Sequence, residues 1–446
     1  MSPLHLGLDL GTSGCRGIVI EERGDIVAEA ALPLPPSRRD ESGGSEQSPA
    51  DWLAAVKEVL AGLCTQLGPA VKRIAALAID GTSSTLLAAD TEGTPLSAAL
   101  MYDDRRALAE VESLRAIAPA DSPVLNPSAS LPKLLYLKMD LKRDFLALHQ
   151  ADWLLGCLIG HFGHGDENNA LKLGYDPFNR RWPDWLLGLN LPAGMLPQVH
   201  PVGAFIGLIN PAIARETGLP EGIRLFAGTT DSTAAALAPG IERPGQAITV
   251  LGSTLVMKVL SPTPIFSGER GVYSHRLTLS QRQTNRCADF KLRDHLWLAG
   301  GASNSGGAVL LDYFDREQLA VMTPLLRPDQ PTGLGYYPLR CPGERFPRNN
   351  PHLEPRLSPR PDEDVRFFQA LLEGMANIEA DAYRLLEELG APRVEQVYSI
   401  GGGAANEPWR RIRQQRLGVP VLASRQQQAA YGAALIAMRG FCSSIG

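Results

Sequence analysis

Leucines alternate with other residues at the start of the chain. Leu6, Leu8 and Leu10 bracket Asp9 in "LHLGLDL", and this period of two is typical of a β-strand with one buried face. The turn "GTSG" follows, and "CRGIVI" and "IVAEAALPL" have the composition of two further strands. The pattern therefore predicts a three-stranded meander with a carboxylate inside its first strand.

The next part of the N-terminal half alternates between helical and strand patterns. Apolar residues recur at helical spacing in "PADWLAAVKEVLAGLCTQLG", and the segments "KLLYLKMDLKRDFLALH" and "ADWLLGCLIG" are also predicted to be helical. "RIAALAID" reads as a buried strand that continues into "GTSST", and "TLLAAD" reads as another strand. Residues 33–49 are rich in Pro, Gly and Ser and are predicted to be a loop.

The second half of the chain repeats the architecture of its opening. "GIRLFAGTTDSTAAALAPG" predicts a strand, a turn and a helix, and "AITVLGSTLVMKVL" then resembles "LGLDLGTSGCRGIVI" in its order of strand, small polar turn and strand. A long helix is predicted for "DVRFFQALLEGMANIEADAYRLLEELG", and a helix of small residues for "QQAAYGAALIAM". These patterns predict two α/β halves that meet near Pro239–Gly240, with a cleft between two lobes.

Composition narrows the class of protein. The chain has 446 residues, which predicts two large domains or three smaller ones at about 150 residues per domain. A net charge of −5, from 43 basic and 48 acidic residues, gives no electrostatic reason to expect nucleic acid or a membrane as partner. No apolar run approaches the ~18 residues of a membrane span, and the start lacks the pattern of a signal peptide. We therefore expect a cytoplasmic protein.

Several common motifs are absent from the sequence. It contains neither G-x-x-x-x-G-K-[ST] nor G-x-G-x-x-G, so a P-loop nucleotidase and a dinucleotide-binding fold are disfavoured. It contains no H-E-x-x-H, no His/Cys cluster with zinc spacing and no G-x-S-x-G.

Small polar turns and two acids are the candidate chemical groups. "LGTSG" and "VLGST" offer backbone N–H groups and hydroxyls that suit phosphate oxygens, although one such turn alone is more often an ordinary hairpin. Asp231 is either a helix cap or a functional acid. Asp9 needs a partner, because an uncompensated buried carboxylate is costly, and Mg²⁺ that accompanies a nucleotide phosphate would satisfy it.

Two glycine-rich segments could receive a nucleotide base. The three glycines of "YSIGGGAAN" follow a strand and precede a helix, so a flat ring such as adenine could lie against bare backbone, and "LAGGASNSGG" offers a similar surface. Arg105 and Arg106 in "MYDDRRA" could hold an anionic or polyhydroxylated ligand, but a solvated charge cluster is the simpler interpretation.

The order of these motifs resembles that of the FGGY carbohydrate kinases. The shared segments are "LGLDLGTSGCRGIVI", "IDGTSST", "MYDDRR", "SLPKLLYLK", "AGTTDSTAAALA", "VLGSTLVMKVLS" and "SIGGGAANEPWRRIRQQRLGVPV". "IDGTSST", "NALKLGYDP", "GGASNSGGA" and "GERFP" look most like the D-ribulose kinase branch. Xylulose kinases usually carry Gly-Gln-Met-His-Gly at the "DGTSS" position, and this chain lacks it.

The resemblance implies a fold and a domain organisation. It implies two actin-like, ribonuclease H-like α/β lobes with an active-site cleft between them. Residues 1–238 would be the sugar-binding lobe and residues 239–425 the nucleotide-binding lobe, and a helix at about 426–446 would pack back on the first. The implied protein is a monomer or a homodimer.

The resemblance also implies roles for individual residues. Asp231 would be the general base, and Asp9 would hold the sugar and, with Asp231, would bind Mg²⁺ through water. The implied sugar contacts are Asp9, Ser83, Asp104 and Asp231. The implied nucleotide contacts are Gly11, Thr12, Ser13, Gly252, Ser253, Thr254, Trp297, Gly301, Gly402, Gly403 and Asn406.

The activity implied by the resemblance is phosphorylation of D-ribulose by ATP with Mg²⁺. Two alternatives stay open: a kinase for another ketose or polyol such as D-xylulose, and an actin-like, nucleotide-driven binding protein. The stretch 278–295 is longer and more polar than the hairpin usual in the family, and we interpret it as a surface insertion rather than a flap near the nucleotide.

Overall fold

The chain divides into two compact units, which the computed structural model describes over residues 2–282 and 290–445. For residues 278–282, 290–295 and 445 the structure describes the backbone but not the side chains. Unit 1 comprises Met1–Ala238, His275–Asp294 and Gln428–Gly446, and unit 2 comprises Pro239–Ser274 and His295–Gln427. The predicted surface insertion lies within 278–295, so its residues 283–289 and its side chains fall outside the described residues.

The N-terminal part of unit 1 alternates strands and helices. Its strands are β1 (Leu4–Leu10), β2 (Gly14–Glu21), β3 (Ile26–Pro33), β4 (Arg38–Arg39), β5 (Ser45–Gln47), β6 (Ile74–Gly81), β7 (Leu86–Ala89), β8 (Ala99–Leu100), β9 (Leu146–His149), β10 (His164–Asp166), β11 (Gln198–His200), β12 (Phe205–Leu208) and β13 (Arg224–Thr230). Its helices are α1 (Pro49–Leu67), α2 (Leu108–Arg115), α3 (Ser130–Leu141), α4 (Gln150–Ile159), α5 (Asp184–Leu187), α6 (Pro211–Thr217) and α7 (Asp231–Leu237).

The main sheet of unit 1 has the strand order β12-β13-β6-β1-β2-β3. Strands β1, β2 and β3 pair antiparallel, which confirms the predicted meander. Strands β1, β6 and β13 run parallel to one another, so their carboxyl ends lie at the same edge of the sheet. The alternating leucines of β1 are fully buried in one core cluster together with Val56, Val59 and Leu60 of α1.

Two sequence predictions in unit 1 were wrong in detail. Residues 33–49 include β4, which pairs with β5, and β5, which pairs with β8 in a five-stranded sheet, so this segment is not loop throughout. The helix predicted through "FLALH" ends at Leu141, and Leu146–His149 forms β9 against β7. A short apolar run fits either element, and here the pairing with β7 determines the outcome.

A second six-stranded sheet has the order β16-β17-β15-β14-β18-β19. Its strands are β14 (Gln246–Leu251), β15 (Leu255–Ser261), β16 (Tyr273–Arg282), β17 (Phe290–Ala302), β18 (Gln396–Ile400) and β19 (Val421–Ala423), and the helices of unit 2 are α8 (Gly307–Leu311), α9 (Arg316–Met322), α10 (Asp364–Glu388) and α11 (Glu407–Leu417). Phe367, Leu371 and Met375 of α10 are buried with Ala247 and Val259 of the sheet. Each unit thus combines a mixed sheet with packed helices, and the predicted α/β class is confirmed.

The helix α12 (Ala429–Ile445) belongs to unit 1 and packs closely on β1 and α7. A Cβ atom built on Gly7 would lie 2.0 Å from the backbone oxygen of Ala430, and one on Gly432 would lie 1.9 Å from that of Ala234. The small residues of α12 therefore allow its backbone to approach both elements. Within the described part of the chain, no helix combines the length and the apolar character that a membrane crossing needs.

Candidate active site

Three aspartates lie at the carboxyl ends of neighbouring parallel strands in unit 1. Asp9 of β1 is the register partner of Asp80 in β6, and Asp80 is in turn the partner of Thr229 in β13. Asp231 follows β13 directly and is the first residue of α7. Register partners in a parallel pair point to the same face and lie about 5 Å apart. The sheet thus brings together Asp9 and Asp231, which the sequence singled out, and adds Asp80.

An irregularity in β13 sets the position of Asp231. The pairing with β6 shifts register between Phe226 and Thr229. At this point a Cβ atom on Gly228 would lie only 1.6 Å from the carbonyl oxygen of Ile79, so no other residue fits without moving the strands. The close approach aligns Thr229 with Asp80 and starts α7 one residue beyond the sheet.

Burial raises the pKa of both acids in the Asp9–Asp80 pair. Asp80 is fully buried, and this burial is the main reason why its pKa lies well above the ordinary value. The charges of Asp9 and Asp231 raise the pKa of Asp80 further. Burial also raises the pKa of Asp9, but the adjacent carboxyl group of Asp80 and the charge of Arg16 oppose this rise. Neither oxygen of Asp80 accepts a hydrogen bond from the described residues. Burial and the two neighbouring carboxylates therefore favour the protonated form of Asp80.

The turn Gly11–Ser13 joins β1 to β2 beside this acidic group. It is closed by a hydrogen bond from the amide of Gly11 to the carbonyl of Gly14, at 3.0 Å. The carbonyl of Thr12 accepts from Gln47 Nε2 at 2.8 Å, and that of Ser13 accepts from the amide of Leu34 at 3.0 Å. The carbonyls of the turn are thus anchored to the protein. Its predicted contact with phosphate stays a prediction.

The two other predicted sugar contacts of unit 1 differ in accessibility. Ser83 is half-buried in the turn between β6 and β7. Asp104 is fully buried, and its Oδ2 accepts hydrogen bonds from the amide of Ser45 at 2.8 Å and from Arg106 Nη2 at 2.7 Å. Arg106 also forms an ion pair with Glu46 at 2.8 Å. The carboxylate of Asp104 is therefore occupied by protein donors, and its predicted contact with the sugar stays a prediction.

In unit 2, glycine-containing turns meet at one edge of the sheet. Val250 and Ile400 are register partners in the parallel strands β14 and β18, so the turn Gly252–Thr254 and the glycines that follow β18 begin side by side. The amide of Gly307, at the start of α8, donates to the carbonyl of Gly252 at 2.8 Å. The sequence identified the segment "LAGGASNSGG" but did not assign Gly306 or Gly307, which close this edge.

The predicted adenosine contacts lie in different surroundings. A Cβ atom on Gly402 would meet nothing within 4 Å, whereas one on Gly403 would lie 2.6 Å from the ring of Trp409. The amide of Trp409 donates to Asn406 Oδ1 at 2.9 Å, which makes Asn406 the N-cap of α11. Of these residues, Gly402 has the open backbone surface that a flat ring would need.

Two further predicted nucleotide residues face the protein interior. A Cβ atom on Gly301 would lie 2.6 Å from the ring of Phe346, so this glycine makes room for protein packing. Trp297 is 2 % exposed. Their predicted proximity to adenosine stays untested.

Metal binding by direct coordination finds no support among the described residues. No group of three or more His, Cys, Asp or Glu side chains in that part of the chain has the geometry to hold a metal ion. The residues fit the weaker form of the prediction, in which carboxylates contact Mg²⁺ through water, since Asp9 and Asp231 lie at the same edge of the sheet and Asp9 is 9 % exposed.

Sequence reasoning missed several residues that shape these sites. Asp80 ends a buried apolar strand just as Asp9 does, and that shared pattern could have identified it. Glu344 lies in the quoted segment "GERFP"; its carboxylate accepts from Ser303 Oγ at 2.6 Å and from the amide of Asn304 at 2.7 Å. No local pattern in the sequence indicates contacts across so many residues.

Comparison with protein families gives matches over both units. The description "FGGY family of carbohydrate kinases, N-terminal domain" matches residues 4–238, and the corresponding C-terminal domain matches residues 247–441. Xylulose kinase of Escherichia coli K12 is 26 % identical over 425 residues, which cover 92 % of this chain and 84 % of that protein.

Solved structures show the same fold. A xylulose kinase from Rhodospirillum rubrum matches with a TM-score of 0.81 at 24 % identity, and the match covers 97 % of this chain and 89 % of the other. Plasmodium falciparum glycerol kinase with ADP also matches with a TM-score of 0.81, at 16 % identity and over 100 % and 90 % of the two chains. At these identities the likeness establishes the actin-like fold alone.

Proposed function

The chain belongs to the FGGY family of carbohydrate kinases, and on that premise we propose that it transfers the γ-phosphoryl group of ATP to a hydroxyl of a ketopentose. The observation that carries the proposal is the group formed by Asp9, Asp80 and Asp231 at the ends of three parallel strands. A phosphoryl transfer needs a base at the attacking hydroxyl and a group that orients the sugar. Three carboxyl groups at one edge of the sheet offer both functions within one site.

We propose Asp231 as the general base. Its Oδ1 accepts a hydrogen bond from the amide of Ser232 at 2.5 Å, which fixes the carboxylate at the start of α7. Asp231 would take the proton of the sugar hydroxyl as that oxygen bonds to phosphorus. A positioned base of this kind contributes roughly 10²–10⁴-fold to the rate.

We assign the orientation of the sugar to Asp9 and Ser83. Asp80 is the register partner of Asp9 and adds a second carboxyl group beside it. Asp9 and Asp231 would also contact Mg²⁺ through water, and bound Mg²⁺ supplies neutralisation of phosphate charge. Asp104 is fully buried, and for this reason we propose that it acts by holding Arg106 and Ser45.

For the nucleotide we propose the glycine turns of unit 2. The turn Gly252–Thr254 offers backbone amides to phosphate oxygens, and the open face of Gly402 suits the adenine ring. The turn Gly11–Ser13 of unit 1 is proposed as a further phosphate contact. ATP is the phosphoryl donor in this proposal.

D-Ribulose is the first candidate substrate, because the segment with Asp80, "IDGTSST", resembles that of D-ribulose kinases. D-Xylulose is the second, since the similar E. coli protein is named a xylulose kinase. The two sugars differ only in configuration at C3. Rates of ADP release with each ketose, with glycerol and without sugar, in the presence of ATP and Mg²⁺, would separate them.

The decisive variant is Asp231→Asn. We expect kcat to fall roughly 10²–10⁴-fold while ATP binding by calorimetry stays as in the wild type. Asp184→Asn is a matched control, because Asp184 also opens a short helix, α5, but is exposed. Unchanged turnover in Asp231→Asn would refute its role. ADP release that no sugar stimulates would instead favour a nucleotide-driven binding protein.

A further inference from the structure

The turn that carries Ser83 is held from two sides. Residues 82–85 connect β6 to β7, and within them Ser84 adopts a left-handed backbone conformation with φ of 69°. This conformation is uncommon for a residue other than glycine, and it persists only where the surroundings enforce it. The contacts that enforce it therefore determine how Ser83 is presented.

The first contact comes from Gln150, at the start of α4. Its Oε1 accepts hydrogen bonds from the amide of Thr82 at 3.0 Å and from the hydroxyl of Thr82 at 2.8 Å. The amide of Gln150 donates to the carbonyl of Thr85 at 3.2 Å. Gln150 thus holds both ends of the turn but not its middle.

The second contact comes from Lys133 of α3. Its Nζ donates to the carbonyl of Ser84 at 2.9 Å and to the carbonyl of Met101 at 2.6 Å. Met101 leads directly into the segment that contains Asp104. One ammonium group therefore connects two of the segments of unit 1 in which sugar contacts are predicted, those of Ser83 and Asp104.

A lysine at this position is costly, which argues that its hydrogen bonds matter. Lys133 is fully buried, and burial lowers the pKa of its ammonium group to about 7, against the opposing charge of Asp104. An apolar side chain of the same length would fill the space without this penalty. Because Nζ is buried and already donates to two carbonyls, it is not placed to contact the sugar itself.

We propose that Lys133 is a positioning residue of the sugar site, which fixes the middle of the turn 82–85 and thereby the direction of Ser83. The proposal rests on the kinase function proposed above and adds a residue that controls affinity for the sugar without contacting it. Loss of the two hydrogen bonds should leave the turn attached by Gln150 at its ends and free to change conformation at Ser84.

The test is Lys133→Met, which keeps the length of the side chain and removes its donors. Displacement of a contact by about an ångström can lower the rate by roughly 10²-fold. We therefore expect KM for the ketopentose to rise tenfold or more in Lys133→Met. KM for ATP, measured at saturating sugar, should stay as in the wild type. Lys138→Met is the matched control, because Lys138 lies on the same helix and is partly exposed.

Hydrogen exchange supplies a readout that does not depend on activity. The amide of Thr85 donates to the carbonyl of Thr82 at 3.3 Å across the turn, and we expect it to exchange faster in Lys133→Met while the amides of β6 keep their protection. Wild-type exchange together with an unchanged KM for the sugar would overturn the proposal. Equal rises in both KM values with general loss of protection would also overturn it, as the signature of a merely structural lysine.

The proposed function and this inference fail in different ways. A wild-type protein that phosphorylates no sugar would refute the kinase assignment and the role of Lys133 in it. An active wild type with an unaffected Lys133→Met variant would refute the positioning role alone.

Discussion

Removal of the carboxylate of Glu379 should cost unit 2 a large part of its stability. Glu379 of α10 accepts hydrogen bonds from Arg413 Nε at 2.6 Å and from Arg413 Nη2 at 2.7 Å. It also accepts one from the hydroxyl of Thr249 in β14, and Arg413 Nη1 donates to Ser399 Oγ in β18 at 2.7 Å. The side chains of Glu379 and Arg413 are 2 % and 1 % exposed. The pair thus connects two helices with the two strands that lead into the glycine turns.

The variant Glu379→Gln keeps the shape of the side chain and removes its charge. One of the two oxygens that accept from Arg413 would become an amide NH₂ group, and the guanidinium would stay buried without its counter-charge. Breaking a buried ion pair from one side costs about 3–5 kcal/mol, because an uncompensated charge is left behind. We expect a loss in this range in the free energy of unfolding, measured by urea titration.

Two comparisons make the reasoning refutable. Replacing both partners, in Glu379→Met with Arg413→Met, should cost much less than Glu379→Gln, since no buried charge remains. Asp329→Asn, which breaks the exposed pair of Asp329 with Arg411, should cost no more than about 1 kcal/mol. Hydrogen exchange at β14 and β18 would localise the effect to unit 2. If the double variant were as unstable as the single one, burial of an unpaired charge would not be the cause.

Two other predictions concern unit 1. Gly432→Ala would place a Cβ atom 1.9 Å from the backbone oxygen of Ala234, so we expect the free energy of unfolding, measured by thermal unfolding, to fall by about 1–3 kcal/mol. Gly62→Ala is the control, because the nearest neighbour of its Cβ atom would lie at 3.8 Å, and it should show no such loss. Equal effects of the two variants would contradict the packing argument. Burial raises the pKa of Asp166 from 3.8 to about 7. Between these two values the folded state keeps a proton that the unfolded state releases. The protonated carboxyl group therefore stabilises the fold at low pH, and this stabilisation is lost as pH rises from about 4 to 7. Asp166→Asn should remove that part of the pH dependence in urea titrations, and an unchanged slope would refute the assignment.

The elements with strong periodicity could be predicted from sequence. The alternating leucines of β1 and the long 3.6-residue period of α10 identify a strand and a helix without any tertiary information. Strands β4 and β5 could not be identified, because two or three residues carry no period and these strands depend on pairing with each other and on the pairing of β5 with β8. β9 was assigned to a helix because its apolar residues follow α3 after only three charged residues, 142–144.

The candidate site was predictable only where chemistry and local pattern coincide. Asp9 and Asp231 each stand at a strand end beside a small polar turn, and the pattern shows that directly. Asp80 fits the same pattern and was overlooked. Lys133 could not be assigned, because its importance lies in two backbone carbonyls, of Ser84 and Met101, that only the fold brings to one point.

The packing of α12 on β1 has a consequence for how the protein is made. Ile18 and Ile20 of the N-terminal meander are buried against Ala430, Ala434 and other residues of α12. The two partners lie far apart in the chain, so at about 5–20 residues per second the meander is synthesised tens of seconds before the helix that covers it. During that interval its isoleucines face water or a chaperone. Synthesis of Ala429–Ile445 thus completes a structure that the first residues began.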